Sequence, residues 1–472
     1  MKPYFGESDY SLHATNEKNK VLCLPNAKEE AFFRYRDLFL KEGYEEKEAY
    51  LEPFLRFSAL SKGNDGIFLT YFFNTNEFFA VGEEDCRYFS RKNEALPTVT
   101  SPKITQLHLT DFGLSYVVCL SDGRFVVFDG GWNTPEDRKS LFDCLTAQSN
   151  EKMPRIACWI LTHPHGDHNR CFNGFWEDYE GKVALDAVLM HFPAADDTDH
   201  YPKLALQERG ECNVDQIRKN HEWIRRLGAE LLTAHTGQSY AFGDAHFRVL
   251  SCMENTISVS DNINTTSLVM KMELGDTTVL WTGDAYCKHA RLAERYGDFL
   301  KSDILQVFHH GFSSGSAREV IAAYDAIRAA VCLLPASDRH AFSTFCIHQK
   351  ATRHLYEAPS TEEIITGETA HTLSLPYLPS PDGKERLQLQ MKEGLALCGR
   401  TLWEIREIEK SEYVLRNVTF AVATVTLKES FPSGEIRESI LSVPKLGTLS
   451  VIPSEGAEGF VLECSTPLQL ES

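Results

Sequence analysis

The sequence predicts an α/β protein with a central domain between two smaller modules. Helical and strand-like patterns alternate through the middle of the chain, a helix and short aromatic strands precede them, and alternating strand patterns follow. A chain of 472 residues also exceeds what one compact core accommodates. We expect a small N-terminal α/β unit over residues 1–100, a central domain over 104–378 and a C-terminal β-rich module over 385–472.

The N-terminal unit is predicted from one helix and three strands. Apolar side chains recur at helical spacing from Phe32 to Phe39, with Asn26 as the expected N-cap and Gly43 as the expected end. Turn-forming residues separate the strand-like segments that follow, which are Phe54–Leu60, Ile67–Phe73 and Phe78–Val81. The polar residues 90–103 predict a linker.

The central domain begins with a hairpin, because Asp122 and Gly123 lie between the strand-like segments Ser115–Leu120 and Arg124–Asp129. The alternation after it is typical of helices packed on a sheet. Predicted strands are Ile156–Leu161, Val183–Met190, Ser267–Met272, Val279–Trp281 and Ile304–Phe308. Predicted helices are Glu136–Ala147, Val214–Leu227, Lys288–Tyr296 and Arg318–Ala329.

The C-terminal module is predicted to follow a second linker, Tyr377–Lys384. Apolar residues alternate with polar or charged ones beyond it, as in half-buried strands. The predicted strands are Arg386–Met391, Tyr413–Leu427 and Gly447–Ile452. No motif with chemical content occurs in this module, so it predicts a structural or interaction role.

The composition and charge argue against several classes of function. A formal net charge of −19 argues against coating of nucleic acid or anionic membranes, because those partners require an excess of Lys and Arg. No signal peptide and no apolar run long enough to span a membrane is visible. Thirteen cysteines without a CxxC pair predict buried free thiols in a reducing compartment. We therefore expect a cytoplasmic protein.

The segment His163-Pro164-His165-Gly166-Asp167-His168 contains four potential metal ligands directly after an apolar strand. In extended chain His163 and His165 project to the same side, so both imidazoles can reach one cation. Gly166 lets the chain turn, which allows Asp167 and His168 to face a second cation. The pattern therefore predicts two ions about 3.5–4 Å apart in one pocket.

Two later strand ends supply further candidate ligands. Asp284 follows the strand-like run Val279–Trp281, and a carboxylate at that position can bridge two cations. His309 and His310 follow the run that begins at Ile304. Because α/β sheets place their sites at the C-terminal ends of strands, we expect these side chains near the HPHGDH segment.

Four ordered motifs resemble those of the metallo-β-lactamase superfamily: DGG at 129–131, HPHGDH at 163–168, TGDA at 282–285 and HHG at 309–311. The resemblance covers residues 104–378. It is nearest to the branch with the hydrolase domain of DNA-uptake channel proteins and the phosphorylcholine esterases, whose Asn-x-Ser-Leu-Val strand is similar to residues 264–269. The flanking regions are similar to those of metallohydrolases from intestinal Firmicutes.

The resemblance implies an αβ/βα sandwich with a dinuclear centre at one edge. It implies a first site of His163 and His165, a second site of Asp167, His168 and His309, Asp284 as the bridge, and Asp129 as a brace of the loop. His310 is the alternative to His309; we prefer His309 because it comes first after the strand. No histidine lies between His246 and Asp284, so the third ligand of the first site is open among Cys252, Glu254, Asp261 and water.

Histidine and carboxylate ligands suit two Zn²⁺ ions, with Mn²⁺ or Fe as alternatives. Water between two such ions loses a proton near neutral pH, and the hydroxide attacks an ester. We expect Asp167 or Asp284 to orient it and His310 or His191 to protonate the leaving group. His235 is expected to make local hydrogen bonds. Arg170 is either a contact for a substrate phosphate or a residue on a helix surface.

The branch resemblance implies a phosphoester or phosphodiester substrate rather than a β-lactam. The net charge disfavours a long polyanion and two cations attract a small anion, so we expect an ester of modest size. Three alternatives stay open. These are a nuclease of the DNA-uptake type, a lactone or thioester hydrolase, and a metal-binding sensor or scaffold without turnover. Association of identical chains through the flanking modules is a further expectation.

Overall fold

The computed structural model describes residues 9–14, 19–86, 96–193, 214–256, 262–312, 314–342 and 350–391, and five strands between residues 423 and 470. Two compact units are distinguished. One comprises Met1–Ala341 with Gln349–Leu387, and the other comprises Phe342–His348 with Gln388–Ser472. No helix in the described part of the chain is long and apolar enough to cross a membrane.

A six-stranded antiparallel sheet forms the N-terminal part of the first unit, with strand order β1-β2-β6-β5-β4-β3. Its strands are β1 (Ser11–Ala14), β2 (Asn19–Leu24), β3 (Glu45–Leu51), β4 (Leu55–Lys62), β5 (Asp65–Phe72) and β6 (Glu77–Glu83). Helix α1 (Glu29–Lys41) buries Phe32, Tyr35 and Phe39 against this sheet, because those residues share one helical face.

The start of α1 differs from the prediction and its end does not. Lys28 is the N-cap residue, and the Asn26 amide instead donates to the Asp9 carboxylate at 3.1 Å, so the predicted Asn26 cap is wrong. Gly43 follows the last turn with φ +89°, a conformation that favours glycine, and the predicted end is confirmed.

Two further sheets pack face to face in the central domain. The first has the order β13-β12-β10-β9-β8-β7-β21, with β11 beside β10. Its strands are β7 (Lys103–Gln106), β8 (Ser115–Cys119), β9 (Phe125–Asp129), β10 (Arg155–Ile160), β11 (Ala184–Leu185), β12 (Ala187–Met190), β13 (Glu230–Thr233) and β21 (His371–Ser374). The predicted hairpin of β8 and β9 is confirmed.

The second sheet has the order β14-β15-β16-β17-β18-β19-β20. Its strands are β14 (Ser239–Phe242), β15 (Ala245–Ser251), β16 (Val269–Leu274), β17 (Thr277–Trp281), β18 (Ile304–Gln306), β19 (Val331–Leu334) and β20 (Glu363–Thr366). One apolar core joins the facing sides of both sheets, and the side chains of Phe128 and Trp281 stack within it at 4.2 Å between ring centroids.

Helices cover the outer faces of the sandwich. On the first sheet, α2 (Pro135–Gln148), α3 (Gly166–Tyr179) and α4 (Val214–Leu227) enclose a second apolar core around Trp159. Further helices among the described residues are α5 (Met253–Thr256), α6 (Cys287–Ala290), α7 (Leu292–Tyr296), α8 (Ala317–Ile327), α9 (Asp338–Ala341) and α10 (Lys350–Glu357). Three single turns of 3₁₀ helix are Ile263–Thr266, Gly297–Leu300 and Phe308–Gly311. These layers confirm the predicted αβ/βα fold.

Three predicted elements are corrected. The helix predicted over Lys288–Tyr296 is two short helices, because Arg291 is left-handed at φ +49° and interrupts the hydrogen bonding. The strand predicted over Val183–Met190 is the pair β11 and β12. Residues 383–391 are helical although Arg386–Met391 was predicted as a strand, since Leu387 and Met391 are spaced by one turn and both are buried.

The second unit is β-rich, as predicted. Strands β22 (Ala423–Ser430), β23 (Ile436–Val443) and β26 (Gln469–Leu470) form one sheet, and β24 (Leu449–Pro453) pairs with β25 (Phe460–Cys464). Most of the predicted strand Tyr413–Leu427 precedes β22 and lies outside the described residues, as does part of the predicted linker 90–103.

Candidate metal centre

The candidate ligands follow the carboxyl ends of parallel strands. Strands β9 and β10 run parallel in the first sheet, and β17 and β18 run parallel in the second. The HPHGDH segment follows β10, Asp284 follows β17, and His310 lies in the 3₁₀ turn after β18. Parallel strands end at one edge of a sheet, so these loops converge.

Two groups of donor atoms lie in this region. Within each group the donor atoms lie within 4.8 Å of one another. The first group contains His163, His165 and Asp284; the second contains Asp167, His168, Asp284 and His310. Asp284 belongs to both groups, which is the position of a bridging ligand.

The second group is almost completely buried. His168 Nε2 lies 3.2 Å from Asp284 Oδ2 and 3.7 Å from Asp167 Oδ2. His310 Nε2 lies 3.3 Å from Asp167 Oδ2 and 3.4 Å from Asp284 Oδ1. Only the Asp167 side chain has appreciable exposure, at 14%. Two imidazoles and two carboxylates therefore converge on one small volume, which is a ligand set for a divalent ion.

The first group has fewer protein donors. His163 Nε2 lies 3.7 Å from Asp284 Oδ2, and the rings of His163 and His165 are 4.8 Å apart between centroids. His163 is fully buried, whereas His165 is partly exposed and is the N-cap residue of α3. A catalytic ion with three protein ligands keeps a position open for water or substrate, and this group fits that description.

Asp129 fixes the loop from behind. Its Oδ1 accepts from the Thr162 amide at 2.7 Å, and its Oδ2 accepts from the Thr162 hydroxyl at 2.6 Å. The same Oδ2 accepts from His168 Nδ1 at 2.7 Å. Because Nδ1 is engaged there, His168 presents Nε2 to the centre. Asp129 contacts ligands rather than joining either donor group, and the bracing role stays our proposal for it.

His309 and His310 point in different directions. Both have left-handed backbone, at φ +47° and +53°. His310 Nδ1 donates to the Pro335 carbonyl at 3.1 Å, which turns Nε2 toward Asp167 and Asp284. His309 Nε2 instead accepts from the Asn264 amide at 3.2 Å and lies 3.8 Å from Asp284 Oδ2. The geometry favours His310 as the ligand, and we revise the preference for His309 accordingly.

Gln306 and Ser267 position the loop that carries Asp284. The Gln306 side-chain carbonyl accepts from the amides of Thr282 and Gly283 at 2.8 and 2.7 Å. The Asp284 amide donates to the Ser267 hydroxyl at 3.2 Å. Gly283 has φ +50°, and a Cβ there would lie 3.1 Å from Thr162. The carboxylate is therefore held by backbone contacts that do not involve its own oxygens.

The histidines of the centre differ in the direction of their pKa shifts. Burial lowers the pKa of His163 well below its ordinary value and that of His165 to about 4, so both rings are neutral donors. Burial opposes the charged form of His168 and His310 too, but Asp284 and Asp167 outweigh it. The pKa of His310 is raised to about 9, and that of His168 well above its ordinary value.

Two buried polar atoms of the donor groups indicate whether a metal ion fits this site. His163 Nε2 and Asp284 Oδ1 are buried and have no hydrogen-bond partner among the described residues. Such atoms are destabilising unless a ligand satisfies them. Both belong to the donor groups, and the donors are the imidazoles and carboxylates that Zn²⁺ and related ions take. The residues therefore fit a dinuclear metal centre.

His191 lies in a different group from the one predicted. The structure places it with Cys252 and Glu254, in a buried cluster that shares no residue with the other two groups. Neither His191 as a proton donor nor Cys252 and Glu254 as ligands of the first site is supported by this grouping. Asp261, the third candidate, lies outside the described residues.

Sequence reasoning missed several residues of the site. His340 stacks near Phe112 and Phe312, and its pKa is lowered to about 4 by burial and by the neighbouring His310. Pro335 and Gln306 hold ligands through backbone and amide contacts. No local pattern marks such residues, because their contacts form only when distant loops converge. Thr162 is the exception, since it directly precedes His163 and joins it to Asp129.

No curated protein sequence matches the chain. Among solved structures, the flavodiiron protein from Giardia intestinalis matches with 8% identity and a TM-score of 0.24, over 64% of this chain and 60% of that one. The chain thus spans less than two thirds of that protein, and similarity at this level carries no information about activity.

Residues 109–241 match the family model described as the metallo-beta-lactamase superfamily. The matched residues include Asp129 and the whole HPHGDH segment. They form part of the sandwich of two sheets with outer helices. The narrower resemblance to DNA-uptake hydrolases, phosphorylcholine esterases and Firmicutes metallohydrolases stays a prediction. Over these residues, the central part of the chain is similar to the metallo-β-lactamase superfamily.

Proposed function

We propose that this domain is a metal-dependent hydrolase that holds two divalent ions and cleaves phosphoesters or phosphodiesters of modest size. The observation that carries the proposal is the pair of donor groups that share Asp284. Neighbouring ions that share a carboxylate are the arrangement of dinuclear hydrolases. We propose two Zn²⁺ ions; the same donors also accept Mn²⁺ or Fe.

Bound divalent ions would supply Lewis acidity and lower the pKa of water from about 15.7 to about 7. The protein side chains then have defined tasks. His163 and His165 would hold one ion, His168 and His310 would hold the other, and Asp284 belongs to both donor groups. Asp167 is the partly exposed carboxylate of the set, so it is the one placed to accept a hydrogen bond from an incoming water.

We assign the role of proton donor to His309 instead of the predicted His310 or His191. Its side chain is 19% exposed and lies beside Asp284, outside both donor groups. The Asn264 amide and the Tyr286 ring, 5.7 Å away between centroids, fix its orientation. An imidazole held at the edge of the centre can transfer a proton to a leaving group without giving up a metal ligand.

Arg170 supports an anionic substrate. A Cβ on Gly166 would lie 2.7 Å from Arg170 Nε, so the guanidinium lies over the backbone of the ligand-bearing segment. Its carbon Cζ lies 5.3 Å from the centroid of the Trp132 ring, which fixes the side chain through a cation–π contact. We infer that Arg170 contacts a phosphate of the substrate, since its fork of N–H donors matches phosphate oxygens.

The test is hydrolysis by the full chain loaded with two equivalents of Zn²⁺ or Mn²⁺. A panel of nitrophenyl phosphodiesters, phosphomonoesters, lactones and thioesters serves as substrate. We expect turnover of a phosphoester or phosphodiester, and a loss of at least a thousandfold in kcat with Asp284→Asn. Arg170→Met should raise KM for phosphate esters by about 10-fold or more, as expected for a lost charge-assisted hydrogen bond.

Arg226→Met is the matched control, because Arg226 also packs over a tryptophan, Trp223, but pairs with Glu180 on the helical surface. It should leave KM unchanged. Turnover of lactones or thioesters alone would overturn the substrate class while keeping the hydrolase. Absence of turnover for every substrate, at confirmed metal occupancy, would overturn the hydrolase itself.

A further inference from the structure

A third cluster of metal-ligating side chains lies outside the centre described above. His191, Cys252 and Glu254 each offer a donor atom, and the three atoms lie within 4.8 Å of one another. The exposed fractions of these residues are 3%, 0% and 2%. Histidine, cysteine and glutamate donors within such a small buried volume are the ligands that zinc takes in proteins.

His191 is oriented as a metal ligand would be. Its Nδ1 donates to the Ala234 carbonyl at 2.7 Å, so in the neutral ring Nε2 has the lone pair. Nε2 is buried and has no hydrogen-bond partner among the described residues. A backbone carbonyl on the remote ring nitrogen is the usual partner of a histidine that binds metal through the other nitrogen.

Glu254 is held in place by hydrogen bonds to both of its carboxylate oxygens. Its Oε2 accepts from His235 Nδ1 at 2.9 Å, and its Oε1 accepts from the Thr236 amide at 2.8 Å. His235 Nε2 in turn donates to Glu83 at 2.8 Å, and the His235 ring stacks on Phe68. Each carboxylate oxygen has two lone pairs, so both hydrogen bonds leave capacity for a cation.

We propose that His191, Cys252 and Glu254 form a third metal site, which takes Zn²⁺ or a similar ion that accepts thiolate. The three ligands come from two sheets. His191 follows β12 of the first sheet, and Cys252 and Glu254 follow β15 of the second. An ion held by these ligands would connect the two layers of the sandwich.

This site is chemically distinct from the dinuclear centre, because neither of the other donor groups contains sulfur. A thiolate bond to the metal therefore reports on the third site alone. Cobalt(II) makes that bond visible, since thiolate-to-cobalt charge transfer gives a near-ultraviolet band that nitrogen and oxygen ligands do not give.

The experiment is a titration of the metal-free full chain with CoCl₂, followed by absorption and by metal analysis. We expect three ions per chain and a thiolate charge-transfer band. Cys252→Ser should remove the band and one ion while the other two stay bound. His191→Gln should weaken binding at this site by about tenfold or more, in line with losing one ligand contact.

Cys332→Ser is the matched control, since Cys332 is equally buried in β19 of the second sheet but belongs to no donor group. It should keep the band. X-ray absorption of the zinc-loaded wild type tests the site without substitution, and we expect sulfur at about 2.3 Å. No cobalt band in the saturated wild type, no sulfur neighbour of zinc, or a band that survives Cys252→Ser would each overturn the third site. None of these readouts depends on hydrolysis.

Discussion

The Asp129 carboxylate and the His168 imidazole are hydrogen-bonded at 2.7 Å in a fully buried position. The bond keeps Nδ1 protonated and leaves Nε2 for a metal. Asp129→Asn replaces a pure acceptor with an amide whose NH₂ group cannot accept from Nδ1. We expect metal affinity at the second donor group to fall about 10–100-fold, measured by competition with a chromophoric chelator.

Asp143→Asn is the control for that measurement. Asp143 pairs with Lys139 on the exposed side of α2, so the substitution changes charge without touching a ligand. Its metal affinity should equal that of the wild type. Equal affinities for all three proteins would contradict the bracing role of Asp129.

The adjacent histidines His309 and His310 should behave differently when each is replaced by glutamine. His310→Gln removes a donor from the second group, so we expect the purified protein to retain one divalent ion instead of two in its dinuclear centre. His309→Gln should keep both ions and lose turnover, because we assign His309 to proton transfer. Metal analysis and kcat for both variants separate the roles, and the reverse pattern would restore His309 as the ligand.

Metal binding should depend on pH. The pKa of His310 in the metal-free protein is raised to about 9, against an ordinary value near 6.5, so this ring holds a proton at neutral pH. A metal must displace that proton, and affinity therefore rises with pH until the proton is gone near pH 9. We expect about a tenfold gain per pH unit for each displaced proton, measured with a metal buffer. A flat profile would show that no proton is displaced.

The buried ion pair of Glu77 and Arg295 should contribute strongly to stability. Arg295 is 1% exposed, and its Nε donates to Glu77 Oε2 at 3.0 Å. Glu77→Ala leaves the guanidinium buried without a carboxylate, which costs about 3–5 kcal/mol. Urea unfolding should show this loss, and the double variant Glu77→Ala/Arg295→Met should recover part of it.

Glu357→Ala is the comparison for the buried pair. Glu357 pairs with Arg353 on the surface of α10, where both side chains are about half exposed. Exposed pairs contribute at most about 1 kcal/mol, so unfolding should change little. Equal effects of the two substitutions would contradict the importance of burial for Glu77.

The sequence predicted the layers of the fold and the residues that converge, but not the side-chain directions. The spacing in HPHGDH and the strand before Asp284 are local patterns, and local patterns predict strand ends. The choice between His309 and His310 depends on two left-handed residues, which the rule of continued extension after a strand does not anticipate. Likewise His191 follows a strand end as predicted. Its hydrogen bond to the Ala234 carbonyl and its proximity to Cys252 and Glu254 after β15 are contacts between distant segments, which local patterns do not predict.

The helical segment 383–391 shows the same limitation in another form. Its alternating apolar residues fit a strand, but the chain buries Leu387 and Met391, which share one face of a helix. Short apolar patterns are compatible with both periods, and tertiary packing decides between them.

The contacts of Glu77 and Glu83 have a practical consequence for protein engineering. Both residues belong to the N-terminal sheet, yet they neutralise Arg295 and contact His235 within the central domain. A shortened clone beginning near residue 104 would leave these cationic and imidazole groups without their carboxylates, and would uncover the apolar face beside Phe68. Expression of the isolated central domain should therefore give aggregated material, and crystallisation or screening calls for a chain that retains the N-terminal sheet.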